Sequence, residues 1–443
     1  MFINKILSYT QNYLHKFYLR SLILQNLDWL IFFNVILVIF TSTFLPSDNI
    51  GYFAIFTIIL TSIKLFTKKN EKFYISKAEV FLLLFFIITL ISVAGSTLIQ
   101  LSLKGFFKTI IYIGFYISTV NLLKSNKSMI KYILFTIALC AIGESFIAFK
   151  QNFLSVSEIS GWQDVSRLNP EQIMTRVYGS LKPYNPNLFG GYLLSVLPTI
   201  LIMVVLPFKN KFYKTAALGL IFYFMTSIAL FLTGCRGAYI GFFAQILILS
   251  IIIYKIISKN YRKIFLYIIS ALTTISVFII CSLPQIKTRI LSIFAMRSDS
   301  SNSFRFNVYN SCIEMFKDNW LLGIGVGNQN FREIYGLYMK TGFDELSAYN
   351  IYLETAVESG IFALITFLIF LYLNIEKSIK YVLNHNNIKS VYLIIATASL
   401  IGILAHGFVD TVFFRPQIQF TFWIMLSIIR VLTIKESRYK LEK

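Results

Sequence analysis

Long apolar stretches recur along almost the whole chain, and each is long enough to cross a membrane as a helix. About 20 apolar residues span a hydrocarbon layer of about 30 Å, and within that layer a helix satisfies its own backbone hydrogen bonds. Hydrophobic residues make up 56% of the 443 residues and charged residues only 14%, which excludes a soluble globular protein. We therefore predict an all-α, polytopic membrane protein with about 12 transmembrane helices. The predicted spans are Trp29–Leu45, Gly51–Phe66, Ala78–Leu98, Gly105–Leu123, Met129–Phe149, Leu188–Pro207, Thr215–Thr233, Gly237–Ile257, Ile264–Leu283, Leu353–Ile375, Val391–Val409 and Gln417–Ile434.

Basic residues are distributed unevenly between the two sides of these spans. If the N-terminus lies in the cytoplasm, the cytoplasmic segments hold 26 of the 41 basic residues and 6 of the 20 acidic residues. The outer segments then hold 15 basic and 14 acidic residues, so the net charge of +21 is almost entirely cytoplasmic. This is the positive-inside distribution of membrane proteins. It accounts for the basic composition, and we expect no nucleic-acid partner.

Both long connections face the outside in this orientation. They are Lys150–Asn187 and Pro284–Ala348. The chain then divides into residues 1–283, which carry nine membrane helices and an outer loop at 150–187, residues 284–348, which form a large periplasmic loop between spans 9 and 10, and residues 349–443, which carry helices 10–12. The cytoplasmic loops are short and basic, so we expect the functional residues on the outer side.

Motifs for metals and nucleotides are missing from the sequence. It contains no CxxC, HExxH or Walker A motif, and we expect neither a metal site nor a cofactor. Cys235 and Cys312 both fall in outer segments, where a disulfide is chemically allowed. Four unpaired cysteines are the simpler interpretation.

Ionisable residues within spans are costly and usually functional. Those of this chain lie near the outer ends of their spans, and the inner halves hold almost nothing comparable. This arrangement predicts a polar cavity that opens to one side, whereas a transporter needs a polar route across the whole membrane. The residues are Glu144, Glu354, Glu358, His406 and Asp410.

Three outer motifs combine polar residues with the start of a helix. In YNPNLFGG (184–191), Asn187 is a candidate N-cap of the sixth span. Arg236 in CRGAYIGF (235–242) precedes the eighth span, where the helix N-terminus already favours an anion. Arg305 in SNSFRFN (301–307) lies in the first turn of a predicted loop helix, where an arginine opposes the helix dipole. Helix stability alone does not explain either arginine.

Two further motifs place acidic residues and a histidine at span ends. Glu354 and Glu358 lie one helical turn apart in SAYNIYLETAVESG (347–360). His406 and Asp410 have the same spacing in AHGFVDTVFFRPQ (405–417). Such carboxylates could hold arginines in place or accept a proton.

Taken in order, these motifs and LLGIGVGNQNF (321–331) resemble the O-antigen ligase and O-antigen polymerase superfamily over residues 180–375. The resemblance implies a GT-C-like fold in the bacterial inner membrane with the active site facing the periplasm. It also implies metal-independent transfer of a glycan from a polyprenyl-diphosphate carrier to a glycan, lipid or protein acceptor. By the same resemblance, Arg236 and Arg305 engage the diphosphate.

One position departs from the pattern of that superfamily. Its ligases usually carry a histidine where this chain has Tyr349, and the two motifs around Tyr349 and His406 look closer to a cyanobacterial branch described as bicarbonate transporters. The general base is therefore open among Tyr349, Glu354, Glu358 and His406, with Asp410 as a residue that could orient the histidine ring. The candidate catalytic residues are Arg236, Arg305, Tyr349, Glu354 and His406, and the candidate substrate-binding residues are Asn185, Asn187, Asn350, Glu358, Asp410 and Arg415.

We interpret the sequence as that of an outer-face glycosyltransferase, either a ligase or a polysaccharide polymerase. One alternative is a transporter of inorganic carbon or another solute. The other alternative is a non-catalytic, glycan-binding membrane protein.

Overall fold

Every predicted span falls on a helix of the structure. The computed structural model describes residues 2–69, 71, 75–154, 176–295, 297 and 299–434, and over these residues it contains helices and no strand. The helices are α1 (Phe2–Arg20), α2 (Leu22–Gln25), α3 (Leu27–Thr41), α4 (Ser47–Thr67), α5 (Lys77–Ala94), α6 (Ile99–Ser125), α7 (Met129–Phe153), α8 (Pro186–Val196), α9 (Leu201–Lys209), α10 (Tyr213–Leu232), α11 (Arg236–Ile256), α12 (Arg262–Ser282), α13 (Pro284–Leu291), α14 (Ser300–Asp318), α15 (Asn328–Tyr335), α16 (Ile351–Asn384), α17 (Ile388–His406) and α18 (Pro416–Leu432).

The number of membrane-spanning helices is confirmed in part. Among the described residues, 9 segments are long and apolar enough to cross a membrane: α4, α5, α6, α7, α8 together with α9, α10, α11, α16 and α17. The helices α3 and α18 are apolar but shorter. The ninth predicted span forms α12, a helix of 21 residues that packs mainly against α13, and its crossing of the membrane stays a prediction.

The short helix α18 lies at the centre of the bundle. Its residues 417–432 are all buried, against α6, α17, α8 and α16. An apolar helix in a bilayer can face lipid, but polar side chains within a span need partners inside the protein. In α18, Arg430 pairs with Glu79 and Gln417 donates to Lys182 O at 2.9 Å, so its polar residues favour the central position.

The helix α16 is broken near its start, and a glycine loop packs into the break. Gly360 has a φ of 81°, which separates residues 351–359 from the rest of α16. The carbonyl groups of Val357 and Glu358 accept hydrogen bonds from Ile324 and Gly325 of the loop, at 3.0 and 2.9 Å. The glycine motif within LLGIGVGNQNF (321–331) thus ties the large loop to the bundle.

The half of the bundle that the charge distribution assigns to the cytoplasm holds a buried lysine that the sequence prediction overlooked. Lys64 of α4 is 1% exposed, and its Nζ lies 2.6 Å from Asp28 Oδ1. The same Nζ donates to Asn121 Oδ1 and to Ser125 Oγ, both at 2.7 Å. This cluster joins α3, α4 and α6. Because its charge is paired within the cluster, it serves packing between the helices.

Candidate active site

Arg236 lies at the first residue of α11, at the end of the bundle that the charge distribution places outside. Its side chain is almost completely buried, and Nη1 lies 2.9 Å from Asp299 Oδ1. The same nitrogen donates to the backbone and side-chain oxygens of Ser292, both at 3.2 Å. Asp299 also caps α14 by accepting from the Asn302 N–H at 2.9 Å. Arg236 therefore ties the start of α11 to the start of α14.

Arg305, in the second turn of α14, is held more loosely. Its Nη2 lies 3.5 Å from Asp410 Oδ2, at the outer limit of a hydrogen bond. Its guanidinium group lies over the ring of Tyr349, 5.1 Å from the ring centroid. Asp410 is itself fixed, because its Oδ1 accepts from the N–H groups of Thr411 and Val412 at 2.7 and 3.1 Å. A ligand could therefore draw Arg305 away from Asp410 without unfolding the site.

Two arginines that the sequence did not single out complete the cluster. Arg176 is 2% exposed and donates from Nε to Thr233 O at 2.8 Å. Arg289 of α13 donates from Nε to Gly234 O at 2.8 Å. Both guanidinium groups thus bind the carbonyl groups that end α10, which have no partner within the helix. In the sequence they are ordinary basic residues of outer segments, so no local pattern marks them.

The four guanidinium groups, from Arg176, Arg236, Arg289 and Arg305, have only two carboxylate partners among the described residues. Burial lowers the pKa of Arg176, and the charges of Arg236 and Arg305 lower it further. Burial and the charges of Arg176 and Arg236 lower the pKa of Arg289 to about 10. With four guanidinium groups and two carboxylates, the cluster carries excess positive charge. Such a cluster is suited to a phosphate or diphosphate group.

The asparagines at the start of α8 differ from the prediction in which of them caps the helix. Asn185 is the N-cap, because its Oδ1 accepts from the N–H groups of Asn187 and Leu188 at 2.7 and 3.2 Å. Pro186 then occupies the first helical position, where a missing N–H is harmless. The predicted cap Asn187 instead accepts at Oδ1 from Arg176 Nη2 at 2.5 Å. Asn187 therefore belongs to the arginine cluster.

Glu354 and Glu358 bind backbone groups and contact neither Arg236 nor Arg305. Glu354 Oε2 accepts from the Ala348 N–H at 2.8 Å, and Glu358 Oε1 accepts from the Gly327 N–H at 2.9 Å. Both residues are buried, so they fix two points of the large loop, its end at Ala348 and its glycine motif at Gly327, to α16.

Asn350 has a structural role of the same kind. It caps α16 through the Tyr352 and Leu353 N–H groups and donates to Phe408 O at 3.1 Å.

Tyr349 has a left-handed backbone, with a φ of 52°, in the turn before α16. Its hydroxyl donates to Glu345 Oε1 at 2.8 Å, and its carbonyl accepts from Tyr309 Oη at 3.2 Å. Burial and the neighbouring Glu345 carboxylate raise the pKa of Tyr349 above its ordinary value. The hydroxyl is therefore a hydrogen-bond donor near neutral pH and not a base.

His406 is enclosed where α17 passes two glycines. It is 3% exposed, and a Cβ added at Gly191 would come within 3.0 Å of its Cε1, while one added at Gly237 would collide with the ring. Its Nε2 lies 3.7 Å from Cys235 Sγ. Among the described contacts no hydrogen bond joins it to Asp410, so the predicted orienting pair is not formed in this structure.

Other predicted outer residues lie at the edge of the site or are committed elsewhere. Arg415 is exposed at the start of α18. Glu144 accepts from the hydroxyl and the N–H of Ser180, at 2.5 and 2.9 Å, and so anchors the segment that carries Arg176. Cys235 and Cys312 are free thiols, as are the other two cysteines, so the structure does not contain the disulfide considered above.

Part of this site is similar to a known protein family. Residues 218–368 match the family model described as Wzy_C, O-antigen ligase. None of the curated proteins compared with the chain matches it. The matched stretch runs from α10 into α16 and includes Arg236, Arg289, Arg305 and Tyr349, but not Arg176 or His406. The part of this chain that is similar to the O-antigen ligase family is therefore the helical segment that carries most of the arginine cluster.

Proposed function

We propose that the protein is a glycosyltransferase of the O-antigen ligase type. It transfers a glycan from a polyprenyl-diphosphate carrier to an acceptor hydroxyl on a glycan, lipid or protein, at the periplasmic face of the bacterial inner membrane. The observation that carries this proposal is the cluster of four guanidinium groups, two buried and two partly buried, with two carboxylate partners among the described residues. The match of residues 218–368 to the O-antigen ligase family supports it. A GT-C-like arrangement of about 12 spanning helices is part of the same proposal.

The chemistry needs charge stabilisation more than it needs a strong nucleophile. The acceptor oxygen forms a bond to the anomeric carbon, the bond from that carbon to the diphosphate oxygen breaks, and the carrier diphosphate leaves with the electron pair. Guanidinium groups bind phosphate oxygens through two parallel hydrogen bonds and meet negative charge as it develops. Arg236 and Arg305 are the groups that we assign to the diphosphate, with Arg176 and Arg289 behind them. We include metal independence in the proposal, because these arginines supply the positive charge.

Catalysis at one face fits the distribution of charge better than solute transport. The arginine cluster lies at one end of the bundle, whereas Lys64 near the other end is paired with Asp28. A ligase and a polymerase would use the same donor and differ in the acceptor, so the proposal includes both. The relation to the cyanobacterial branch stays a prediction from the sequence resemblance.

The decisive experiment replaces Arg236 and Arg305 one at a time by lysine. Lysine keeps the charge but loses the planar fork, and the loss of one donor to a developing charge costs about 2.7–4 kcal/mol, or about 10²–10³-fold in rate. Transfer is measured in membranes of the producing strain, together with the amount of lipid-linked glycan that accumulates. Wild-type transfer in both variants would refute the diphosphate role. Arg332→Lys is the matched control, because Arg332 is 53% exposed and pairs with Asp344, not with Asp299 or Asp410.

A further inference from the structure

The carboxylates around the arginine cluster are almost all committed to fixed partners. Asp299 and Asp410 pair with arginines and accept backbone N–H groups. Glu354 and Glu358 are buried and hold backbone N–H groups of the large loop. Glu345, whose neighbour Tyr349 lies under Arg305, differs from these four carboxylates.

Glu345 lies in the loop before α16 and is half-buried beside Tyr349. Its Oε1 accepts from Tyr349 Oη at 2.8 Å, and its Oε2 has only a long contact, 3.3 Å, with the Leu346 N–H at an exposed position. The ring of the same tyrosine lies under the Arg305 guanidinium. Tyr349 therefore fixes one oxygen of the carboxylate and places the group next to an arginine of the cluster. The second oxygen remains accessible for a proton.

We propose that Glu345 is the general base of the transfer reaction and that Tyr349 is its positioning residue. This inference rests on the proposed function. In the reaction, the acceptor O–H bond breaks and its proton passes to Glu345 Oε2, while the acceptor oxygen bonds to the anomeric carbon. The carbon–oxygen bond to the carrier diphosphate breaks in the same step, and the negative charge moves onto the diphosphate beside Arg305. The proton therefore ends on Glu345, and the electron pair of the broken bond ends on the carrier diphosphate.

The electrostatics of the loop favour this role. Burial raises the pKa of Glu345, and the nearby Asp344 carboxylate raises it further, whereas the Tyr349 hydrogen bond and the Arg305 charge act in the opposite direction. A general base works best when its pKa approaches the working pH. The neighbouring Tyr349 stays protonated, so its hydroxyl keeps donating to the carboxylate. The Glu345 carboxylate therefore provides a proton acceptor beside Tyr349, whose hydroxyl alone would be a poor base.

The test compares Glu345→Gln with Glu333→Gln, an exposed carboxylate on α15. Transfer is followed in membrane vesicles of the producing strain, which hold both donor and acceptor, over a range of pH. We expect Glu345→Gln to lower the maximal rate on the order of 10²–10⁴-fold. We expect no change in the thermal stabilisation of the purified protein by inorganic diphosphate. Glu333→Gln should behave as wild type in both measurements.

The pH profile distinguishes a base from a structural residue. Wild-type transfer should fall as the pH drops below the pKa of Glu345, because a protonated carboxyl cannot accept a proton, and Glu345→Gln should lack this acidic limb. Tyr349→Phe removes the hydrogen bond that stabilises the ionised Glu345 carboxylate. The pKa of Glu345 should then rise, so the fall in rate at low pH should begin at a higher pH. Glu345→Asp should retain the limb with a reduced rate, and this variant keeps the test valid if the glutamine variant folds poorly.

Two outcomes would overturn the inference. One is a wild-type rate and profile in Glu345→Gln. The other is an acidic limb that disappears in His406→Gln and persists in Glu345→Gln, which would assign the base to His406. Either result leaves the proposed function intact as long as Arg236→Lys and Arg305→Lys still abolish transfer.

Discussion

Arg176 both binds a carbonyl group at the C-terminal end of α10 and contributes positive charge to the arginine cluster. Its Nε and Nη2 bind Thr233 O and Asn187 Oδ1, which joins the end of α10 to the start of α8. Its buried charge has no carboxylate partner among the described residues. The planar fork is therefore held in a fixed orientation, with positive charge available to an anion.

Arg176→Lys should reduce transfer by about 10–100-fold, because an ammonium group cannot reproduce both hydrogen bonds and each is worth about 0.5–1.5 kcal/mol, more when one partner is charged. The thermal stabilisation of the purified protein by inorganic diphosphate should weaken in parallel. Arg297→Lys is the control, since Arg297 is exposed and lies over the ring of Phe306. A lower melting temperature with undiminished transfer would show that Arg176 serves folding alone.

Arg289 is expected to respond more weakly than Arg176. Its guanidinium group has one described hydrogen bond, to Gly234 O, and its pKa is lowered by burial and by the other arginines. The change Arg289→Gln removes one positive charge from the cluster. Repulsion among the remaining arginines decreases, but a bound diphosphate loses one favourable charge interaction. We expect unchanged or increased thermal stability together with slower transfer. Loss of stability with normal transfer would contradict a role in anion binding.

At the scale of elements, the break in α16 determines where the large loop attaches. The N–H of Ile361 donates to Trp320 O at 2.9 Å, which continues the backbone bonds that Val357 and Glu358 make to the loop. The loop therefore meets the bundle through main-chain groups that a straight helix would have used internally. This attachment holds α14 and its Arg305 over the start of α11.

Gly360→Ala should destabilise the protein and reduce transfer together. Position 360 has a φ of 81°, and a Cβ there would collide with Leu321 O. A non-glycine residue in such a conformation costs on the order of 1–3 kcal/mol. Gly143→Ala is the matched control, because a Cβ at Gly143 of α7 meets nothing within 4 Å. The measurement is the melting temperature of the detergent-purified variants, and an unchanged value for Gly360→Ala would show that the break is not required.

At the scale of the whole molecule, the described charges separate into two groups at opposite ends of the helices. The arginine cluster lies where α11 begins, and the Lys64 cluster lies where α4 ends. The positive-inside distribution predicts that the arginine cluster faces the periplasm. The orientation of the protein in its membrane therefore decides which compartment supplies the acceptor.

Labelling with a membrane-impermeant thiol reagent checks the orientation. Lys340→Cys lies in the large loop and should react from outside in intact cells. Lys209→Cys lies at the end of α9 and should react only after the cells are opened. Both changes are made with Cys281→Ser, because Cys281 is an exposed native thiol. The reverse pattern would place the candidate site in the cytoplasm. A cysteine at Asp164, in the other long loop, lies outside the described residues but tests the same prediction.

The sequence by itself determined the class of protein, the places of its helices and two of the four arginines. Each spanning helix satisfies its backbone within one segment, so local composition is enough to find it. Arg236 and Arg305 could also be identified from local sequence, because a positive charge near the start of a helix is not explained by helix stability. The boundaries were less certain. For example, α6 begins at Ile99, six residues before the predicted span.

Only the tertiary structure decided which polar groups meet. Asn187 was predicted as a cap but binds Arg176, and Glu354 and Glu358 bind loop backbone instead of arginines. The role that we propose for Glu345 depends on its hydrogen bond from Tyr349 and on Arg305, which lies over the ring of that tyrosine. A hydrogen bond between side chains depends on atoms that approach within about 3 Å. Arg176 and Thr233 are 57 positions apart in the chain, and only the packing of α8, α10 and α14 brings such groups to that distance.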